Sequence, residues 1–164
     1  MTAFADFVAA RATSLLRLAH LTCGAPDEAE DVLQSALERA YRHWGRLRPD
    51  ADPEPYVRRI IVNLAISRAR RRRILRIDPV RDVPERPVQT PTSGVEVRQV
   101  LSAALRGLPP RQRAVLVLRF WEDLTEAQTA EILGVSLGTV KSQAAKGLAK
   151  LRGVVELEGV RSDA

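Results

Sequence analysis

This sequence contains few of the residues that support covalent or metal-based chemistry. Cys23 is its single cysteine, so no disulfide can form within the chain. His20 and His43 are isolated, and no His/Cys cluster with zinc-ligand spacing exists. We therefore predict no metal and no cofactor, and we expect Cys23 to be a small buried hydrophobe rather than a redox sensor.

Long apolar segments and aromatic residues are also scarce. The N-terminus, MTAFADFVAARATSLL, lacks the basic segment followed by an apolar core that marks a signal peptide. No apolar run approaches the roughly 20 residues that a membrane-spanning helix needs. We therefore expect a cytoplasmic protein without membrane contact. Because aromatics make up only 4% of the residues, the core must consist mostly of Leu, Val, Ile and Ala.

The charge balance is basic. Lys and Arg number 26 against 20 Asp and Glu, which gives a net charge of +6, and nearly all of these basic residues are arginines. A basic chain favours a polyanionic partner, usually nucleic acid, but does not distinguish DNA from RNA or anionic lipid. Arginine makes bidentate contacts with phosphate and guanine, although a GC-rich genome would also raise the arginine content.

Apolar residues recur at helical spacing along most of the chain, and no segment shows useful strand alternation. The proline-rich segment 76–94, RIDPVRDVPERPVQTPTSG, interrupts this pattern and is typical of a linker. We predict an all-α fold of two small helical domains joined by a flexible linker. The predicted boundaries are 1–75 for the first domain, 76–94 for the linker, 95–153 for the second domain and 154–164 for a tail. A third helix is expected from Tyr56.

Residues 124–150 carry the most specific pattern, a helix, a tight turn and a second helix. Thr125 is expected to cap the first helix, with Gln128 completing a capping box. Gly134 lies where the chain must turn with positive φ, and Ser136 can cap the second helix. Val140 should face the core. This layout is typical of a DNA-binding helix-turn-helix, although an ordinary pair of amphipathic helices would share much of it.

The whole combination resembles the sigma-70 family of bacterial RNA polymerase sigma factors, in the small extracytoplasmic-function (group IV) form and its SigE-like subfamily. Residues 26–44, PDEAEDVLQSALERAYRHW, resemble regions 2.1–2.2, and 53–73, PEPYVRRIIVNLAISRARRRR, resemble regions 2.3–2.4. Residues 108–152 resemble region 4. The resemblance implies a protein that binds core RNA polymerase, recognises −35 and −10 promoter elements and aids promoter melting.

The resemblance also implies a set of partners. The second helix would dock on the clamp coiled coil of the polymerase β′ subunit; the candidate residues are Asp31, Gln34, Leu37, Glu38 and Tyr41. Leu37 and Tyr41 could instead belong to the core. The segment around Arg111 to Trp121 would meet the flap of the β subunit. An anti-sigma factor wedged between the two domains is the default expectation for regulation.

Promoter DNA would be bound by two sets of residues. Those implied for the −35 element are Ser136, Thr139, Lys141, Ser142, Gln143 and Lys146. Those implied for the −10 element are Arg48, Tyr56, Arg58, Arg59, Asn63, Arg68, Arg70 and Arg71, and the arginine run extends through Arg73. Asn63 could alternatively be exposed without a DNA contact. The loop 48–54 would line a base pocket, but no aromatic lies between Gly45 and Pro55, so stacking falls to Tyr56 or to non-aromatic surface.

Two other classes of protein compete with this interpretation. A stand-alone helix-turn-helix regulator would bind duplex DNA without polymerase, but it would not need a basic third helix in a separate domain. An enzyme such as a recombinase would need a nucleophile or metal-binding carboxylates. Ser14 and Ser35 have no base beside them in any evident arrangement, and the acids of 27–31 begin a helix, where the macrodipole favours them. We predict no catalytic residues and no small-molecule substrate.

Overall fold

The computed structural model describes residues 3–75 and 94–157, and every regular element in these ranges is helical. The helices are α1 (Phe4–Cys23), α2 (Ala29–His43), α3 (Glu54–Ile74), α4 (Gly94–Arg106), α5 (Pro110–Leu116), α6 (Glu126–Leu133) and α7 (Leu137–Leu157). The all-α prediction is therefore confirmed. Most of the predicted linker, 76–93, and the tail beyond 157 lie outside the described residues.

Helices α1, α2 and α3 form the first helical unit. The buried face of α2 is made largely of alanines, including Ala36 and Ala40, which are fully buried. Small side chains let α2 pack closely against the larger core residues of the other two helices, such as Leu18 and Ile61. Helix α3 begins at Glu54, earlier than the predicted start at Tyr56.

Helices α4 to α7 form the second unit, in which α5 is the central element. All residues from Gln112 to Leu118 are buried. Helix α5 continues into a single π-helical turn, Val117–Trp121, before the chain enters α6. Helix α7 crosses α5 at Gly147, where an added Cβ would lie only 3.0 Å from the Leu116 side chain. Glycine at this position allows the two helices to approach closely.

The two units pack against each other and share one hydrophobic core. Ala114, Val117, Leu118 and Ile132 of the second unit belong to the same buried cluster as the core residues of α1 and α3. Helix α3 therefore lies between its own unit and helices α5 and α6. None of the described helices is long and apolar enough to cross a membrane.

Candidate nucleic-acid interface

The helix-turn-helix begins with the predicted capping box at the start of α6. The Gln128 backbone N–H donates to Thr125 Oγ1 (3.1 Å), and the Thr125 N–H donates to Gln128 Oε1 (2.9 Å). Helix α6 ends at Gly134, which adopts φ +64°. The structure thus confirms the predicted capping box and the predicted turn at Gly134. Both could be predicted because each depends on residues only a few positions apart in the sequence.

The start of α7 is fixed by its own cap. Ser136 Oγ accepts a hydrogen bond from the Thr139 backbone N–H (3.1 Å) and lies 2.9 Å from Thr139 Oγ1. Val140 is fully buried and packs with Val115 and Ala130. These contacts hold α7 against α5 and α6 and orient its outer face.

The outer face of α7 contains the residues predicted to contact the −35 element. Ser136, Lys141, Ser142 and Lys146 are exposed, while Thr139 and Gln143 are half-buried. Positions 136, 139, 143 and 146 follow helical spacing, so their side chains form one stripe along the helix. Lys141 Nζ lies 4.0 Å from Glu126 Oε2, a partly exposed pair that contributes little stability. Lys141, Ser142 and Lys146 are therefore the most accessible of the predicted −35 residues.

Helix α3 carries the basic residues predicted for the −10 element, and the structure divides them into two groups. Arg59, Arg70 and Arg71 are exposed. Arg58 forms ion pairs with Glu54 (3.1 Å) and with Glu122 of the second unit (3.0 Å). Asn63 is exposed at the residue level, and its Nδ2 donates to the Ile132 backbone carbonyl (3.4 Å).

Two further arginines of the basic run contact the first unit itself. Arg68 donates to Asp31 Oδ2 (3.1 Å) and to Ser35 Oγ (3.1 Å), which ties α3 to α2. Arg72 pairs with Glu28 and also donates to the Cys23 carbonyl (2.7 Å) at the C-terminus of α1. Both residues therefore stabilise the fold in this structure, in addition to the phosphate contacts predicted for them.

The loop between α2 and α3 encloses a cavity of about 370 Å³, lined by residues of 47–53 and by Trp44. The sequence pattern did not single out Trp44, which ends the apolar stripe of α2; it belongs to the buried core, is 7% exposed and lines one side of this cavity. Tyr56, the aromatic that the sequence suggested for stacking, instead packs half-buried against the core. Arg48 at the rim is exposed and pairs loosely with Asp50 (3.5 Å). The geometry favours Trp44 over Tyr56 as the aromatic wall.

An apolar groove of about 600 Å³ runs between α1 and α2. Its lining includes Gln34, Leu37, Glu38 and Tyr41, four of the five residues predicted for polymerase docking. Tyr41 is 65% exposed, so it is not a core residue, whereas Leu37 is half-buried and packs against the core. The fifth residue, Asp31, is the partner of Arg68.

The segment 111–121 divides into a buried helix and an exposed aromatic end. Phe120 is 59% exposed and Trp121 is 48% exposed. The Arg119 guanidinium carbon lies 5.5 Å from the centre of the Phe120 ring. These aromatic side chains form the apolar surface of the region predicted to meet the polymerase flap.

Cys23 and Arg113 are the notable buried polar groups beside this interface. Burial raises the pKa of the Cys23 thiol to about 11, with the Glu28 carboxylate adding to the rise, so the thiol is protonated and unreactive near neutral pH. Arg113 is 3% exposed, and its Nε donates to the Thr22 carbonyl of α1 (2.9 Å). Sequence patterns gave no signal for Arg113, since its partner lies 91 positions away.

The described residues thus combine a capped helix-turn-helix, whose second helix carries the exposed Lys141 and Lys146, with a second unit that has a basic helix and a loop cavity. The family model for sigma-70 region 2 matches residues 7–74, and the model for sigma-70 region 4 matches residues 98–151. The chain belongs to the sigma-70 family of RNA polymerase sigma factors.

Relatives place it in the extracytoplasmic-function class. It is 37% identical over 149 residues to the RNA polymerase sigma-E factor of Streptomyces coelicolor, covering 91% of this chain and 84% of that one. It is 39% identical over 137 residues to the ECF RNA polymerase sigma factor SigM of Mycobacterium tuberculosis, covering 84% and 69%. As a family member, the chain is a promoter-directing transcription initiation factor and not an enzyme.

Solved structures share the fold at low sequence identity. The sigma factor RpoE in complex with the anti-sigma factor NepR, from Bartonella quintana, superposes with a TM-score of 0.71 at 21% identity, covering 93% of this chain and 96% of that one. CnrH in complex with the cytosolic domain of CnrY gives a TM-score of 0.66 at 21% identity, covering 94% and 88%.

Proposed function

We propose that the outer face of α7 reads the −35 element and that α3, with the loop before it, binds and opens the −10 element. The capped helix-turn-helix is the observation that carries this proposal, because caps and core contacts fix α7 while leaving Lys141, Ser142 and Lys146 exposed. In this proposal the first domain, 1–75, binds polymerase and the −10 element, and the second domain, 95–153, binds the −35 element. Residues 76–94 link the two domains.

The −10 assignment is supported by the loop cavity before the start of α3 and by the exposed arginines along that helix. A cavity with an aromatic wall at Trp44 and a cationic rim at Arg48 suits an unpaired base and its phosphate. The exposed Arg59, Arg70 and Arg71 would hold the backbone of the non-template strand.

Site-specific photocrosslinking in the complex of polymerase, sigma factor and promoter tests these assignments directly. A crosslinking residue at position 143 should label duplex DNA at the −35 element, and one at position 48 should label the non-template strand at the −10 element. Crosslinks from both positions to the same element would reject the proposed division. A crosslinking residue in place of Arg152 serves as the control, because this position is exposed near the end of α7 but is not assigned to either promoter element.

The base preference at one −35 position is expected to follow residue 143. Glutamine pairs with N6 and N7 of adenine, whereas arginine pairs with O6 and N7 of guanine, and each pairing is worth about 1–3 kcal/mol of discrimination. We expect Gln143→Arg to shift selection from adenine to guanine at that base when promoters are chosen from a random library. Gln143→Ala is the control and should relax the preference without creating a new one. An unchanged motif in the arginine variant would refute the assignment.

We further propose that the groove between α1 and α2 docks core polymerase on the β′ clamp, with Phe120 and Trp121 contributing to the β flap contact.

Tyr41→Ala should weaken binding to core polymerase at least about tenfold, since exposed aromatic anchors commonly carry 2 kcal/mol or more of an interface. Fluorescence anisotropy with labelled sigma factor measures this. Arg39 is exposed on α2 outside the groove, so the Arg39→Ala control should bind core polymerase as the unaltered chain does. Equal affinities for the unaltered chain and both variants would exclude the groove as the docking site.

Regulation and location complete the proposal. One solved structure with this fold is a complex of a sigma factor with the anti-sigma factor NepR, which supports an anti-sigma partner for this chain. We place its action in the cytoplasm, where RNA polymerase works.

A further inference from the structure

A charged contact joins the two helices of the helix-turn-helix. Lys141 Nζ, on α7, lies 4.0 Å from Glu126 Oε2, on α6, and the two side chains are 63% and 37% exposed. The structure describes all the residues predicted for the −35 element, and among them Lys141 alone forms an ion pair. Ser136 and Thr139 are hydrogen-bonded to each other instead. The contact therefore links a residue assigned above to DNA with an acid that the assignments above leave without a role.

The Glu126 carboxylate is shielded on one side. Its Oε2 atom is covered from solvent and has no hydrogen-bond partner among the described residues. Such an oxygen favours a nearby cation, because its lost hydration is otherwise uncompensated. The Lys141 ammonium lies too far away for a hydrogen bond but close enough for electrostatic attraction. Because so exposed a pair adds little to stability, its main effect is on where the ammonium lies.

The backbone positions of both partners are fixed. Glu126 directly follows Thr125, whose N–H and Oγ1 are both engaged by Gln128 in the capping box. Lys141 directly follows Val140, which is fully buried in the core of the helix-turn-helix. The carboxylate therefore stands at a defined place beside α7, and the flexible stem of the lysine is the part of the contact that can move.

The position of this ammonium affects what it binds on DNA. A lysine with a free stem can contact phosphates, and such contacts carry no sequence information. A lysine held over the major groove can donate to O6 and N7 of guanine. A carboxylate beside it limits the range of the stem and repels phosphates, so it penalises the phosphate contact more than the base contact. Repulsive groups of this kind raise specificity, which is a difference between affinities.

We infer that Glu126 is a positioning residue for −35 recognition: its carboxylate holds the Lys141 ammonium towards a base edge and away from the phosphates. Glu126 thereby increases the discrimination between −35 sequences at the expense of overall affinity. This inference rests on the proposed −35 role of α7. Removing the carboxylate should make binding tighter and less selective.

Holoenzyme assembled from core polymerase and the full chain tests this inference on promoters with a randomised −35 element. Sequencing of the transcripts gives the base preference at each position, and competition binding gives the relative affinities for preferred and altered promoters. Glu126→Gln removes the charge and keeps the size of the side chain. Glu131→Gln is the matched control, because it removes the same charge from an exposed position of the same helix. Lys141→Ala identifies the base that the lysine reads.

We expect Lys141→Ala to relax the preference at one −35 position. Glu126→Gln should lower the discrimination at that same position about twofold to fivefold, the range that a partly exposed ion pair supports. Affinity for altered promoters should rise, because a negative charge near the phosphates is lost. Glu131→Gln should leave the discrimination unchanged. In the Lys141→Ala background, Glu126→Gln should cause no further loss of discrimination.

Three results would overturn the inference. Glu126 is also the first residue of α6, where an acid interacts favourably with the helix dipole. A lower melting temperature of Glu126→Gln with unchanged base discrimination would assign Glu126 to that role alone. Equal changes of discrimination in Glu126→Gln and Glu131→Gln would show a general charge effect. If Lys141→Ala left every −35 preference unchanged, there would be no base contact to position. A shifted preference in Gln143→Arg would then show that the −35 role of α7 stands without Glu126.

Discussion

Replacing Gly24 with alanine should destabilise the protein by about 2–4 kcal/mol, the sum of left-handed backbone strain and of a displaced buried hydrogen-bonding group. Gly24 adopts φ +70°, and an added Cβ would lie 2.6 Å from both terminal nitrogens of Arg113. Arg113 cannot simply move, because its guanidinium also donates to the Thr22 and Leu108 carbonyls. The methyl group would therefore disturb the contact that Arg113 makes between the second unit and α1.

Two other glycines separate the causes of this effect. Gly134 has φ +64° but nothing within 4 Å of an added Cβ, so Gly134→Ala should show the backbone strain alone, about 1–2 kcal/mol. Gly45 has open space and no positive φ, so Gly45→Ala should be nearly neutral. Denaturant unfolding of the three variants gives the order directly. If Gly24→Ala and Gly134→Ala lowered the free energy of unfolding equally, the contact with Arg113 would make no measurable contribution to stability.

The second large effect is expected at Gly147, where α7 crosses α5. An added Cβ would lie 3.0 and 3.2 Å from Leu116 Cδ1 and Cγ, and Leu116 is only 4% exposed. A leucine here would overpack the crossing, at a cost of about 1–3 kcal/mol or more, and would push α7 away from α5. We expect Gly147→Leu to abolish −35 binding and transcription.

Gly153→Leu is the matched control, since it lies on the same helix with nothing within 4 Å of the added atom. Thermal unfolding and electrophoretic mobility shifts with −35 duplex DNA compare the two variants. If Gly147→Leu retained full stability and −35 affinity, the close packing of α7 against α5 at Gly147 would not be what positions α7.

Local features of this fold were readable from the sequence because their causes are local. The cap at Thr125 and Gln128, the turn at Gly134 and the buried Val140 all depend on residues within one or two helical turns. The same holds for the all-α class, since apolar spacing alone sets it.

The features that sequence could not supply depend on tertiary contacts. Arg58 and Arg68 were both identified as cations for DNA, but their partners are distant in sequence: Glu122 lies in the turn before α6, and Asp31 lies on α2. Trp44 and Tyr56 flank the same loop, and only packing decides which ring lines the cavity. A basic residue on a helix specifies a charge, and the fold determines which acid or phosphate it meets.

Run-off transcription with core RNA polymerase from the native host, on a library of that genome's upstream fragments, tests the central claim most directly. We predict transcripts that depend on this protein and share two sequence elements, at −35 and at −10. Gln143→Arg should alter only the −35 element, and Arg48→Ala should weaken only the use of the −10 element. An absence of transcripts, together with tight binding of duplex DNA by the protein alone, would contradict the account and identify a regulator that works without polymerase.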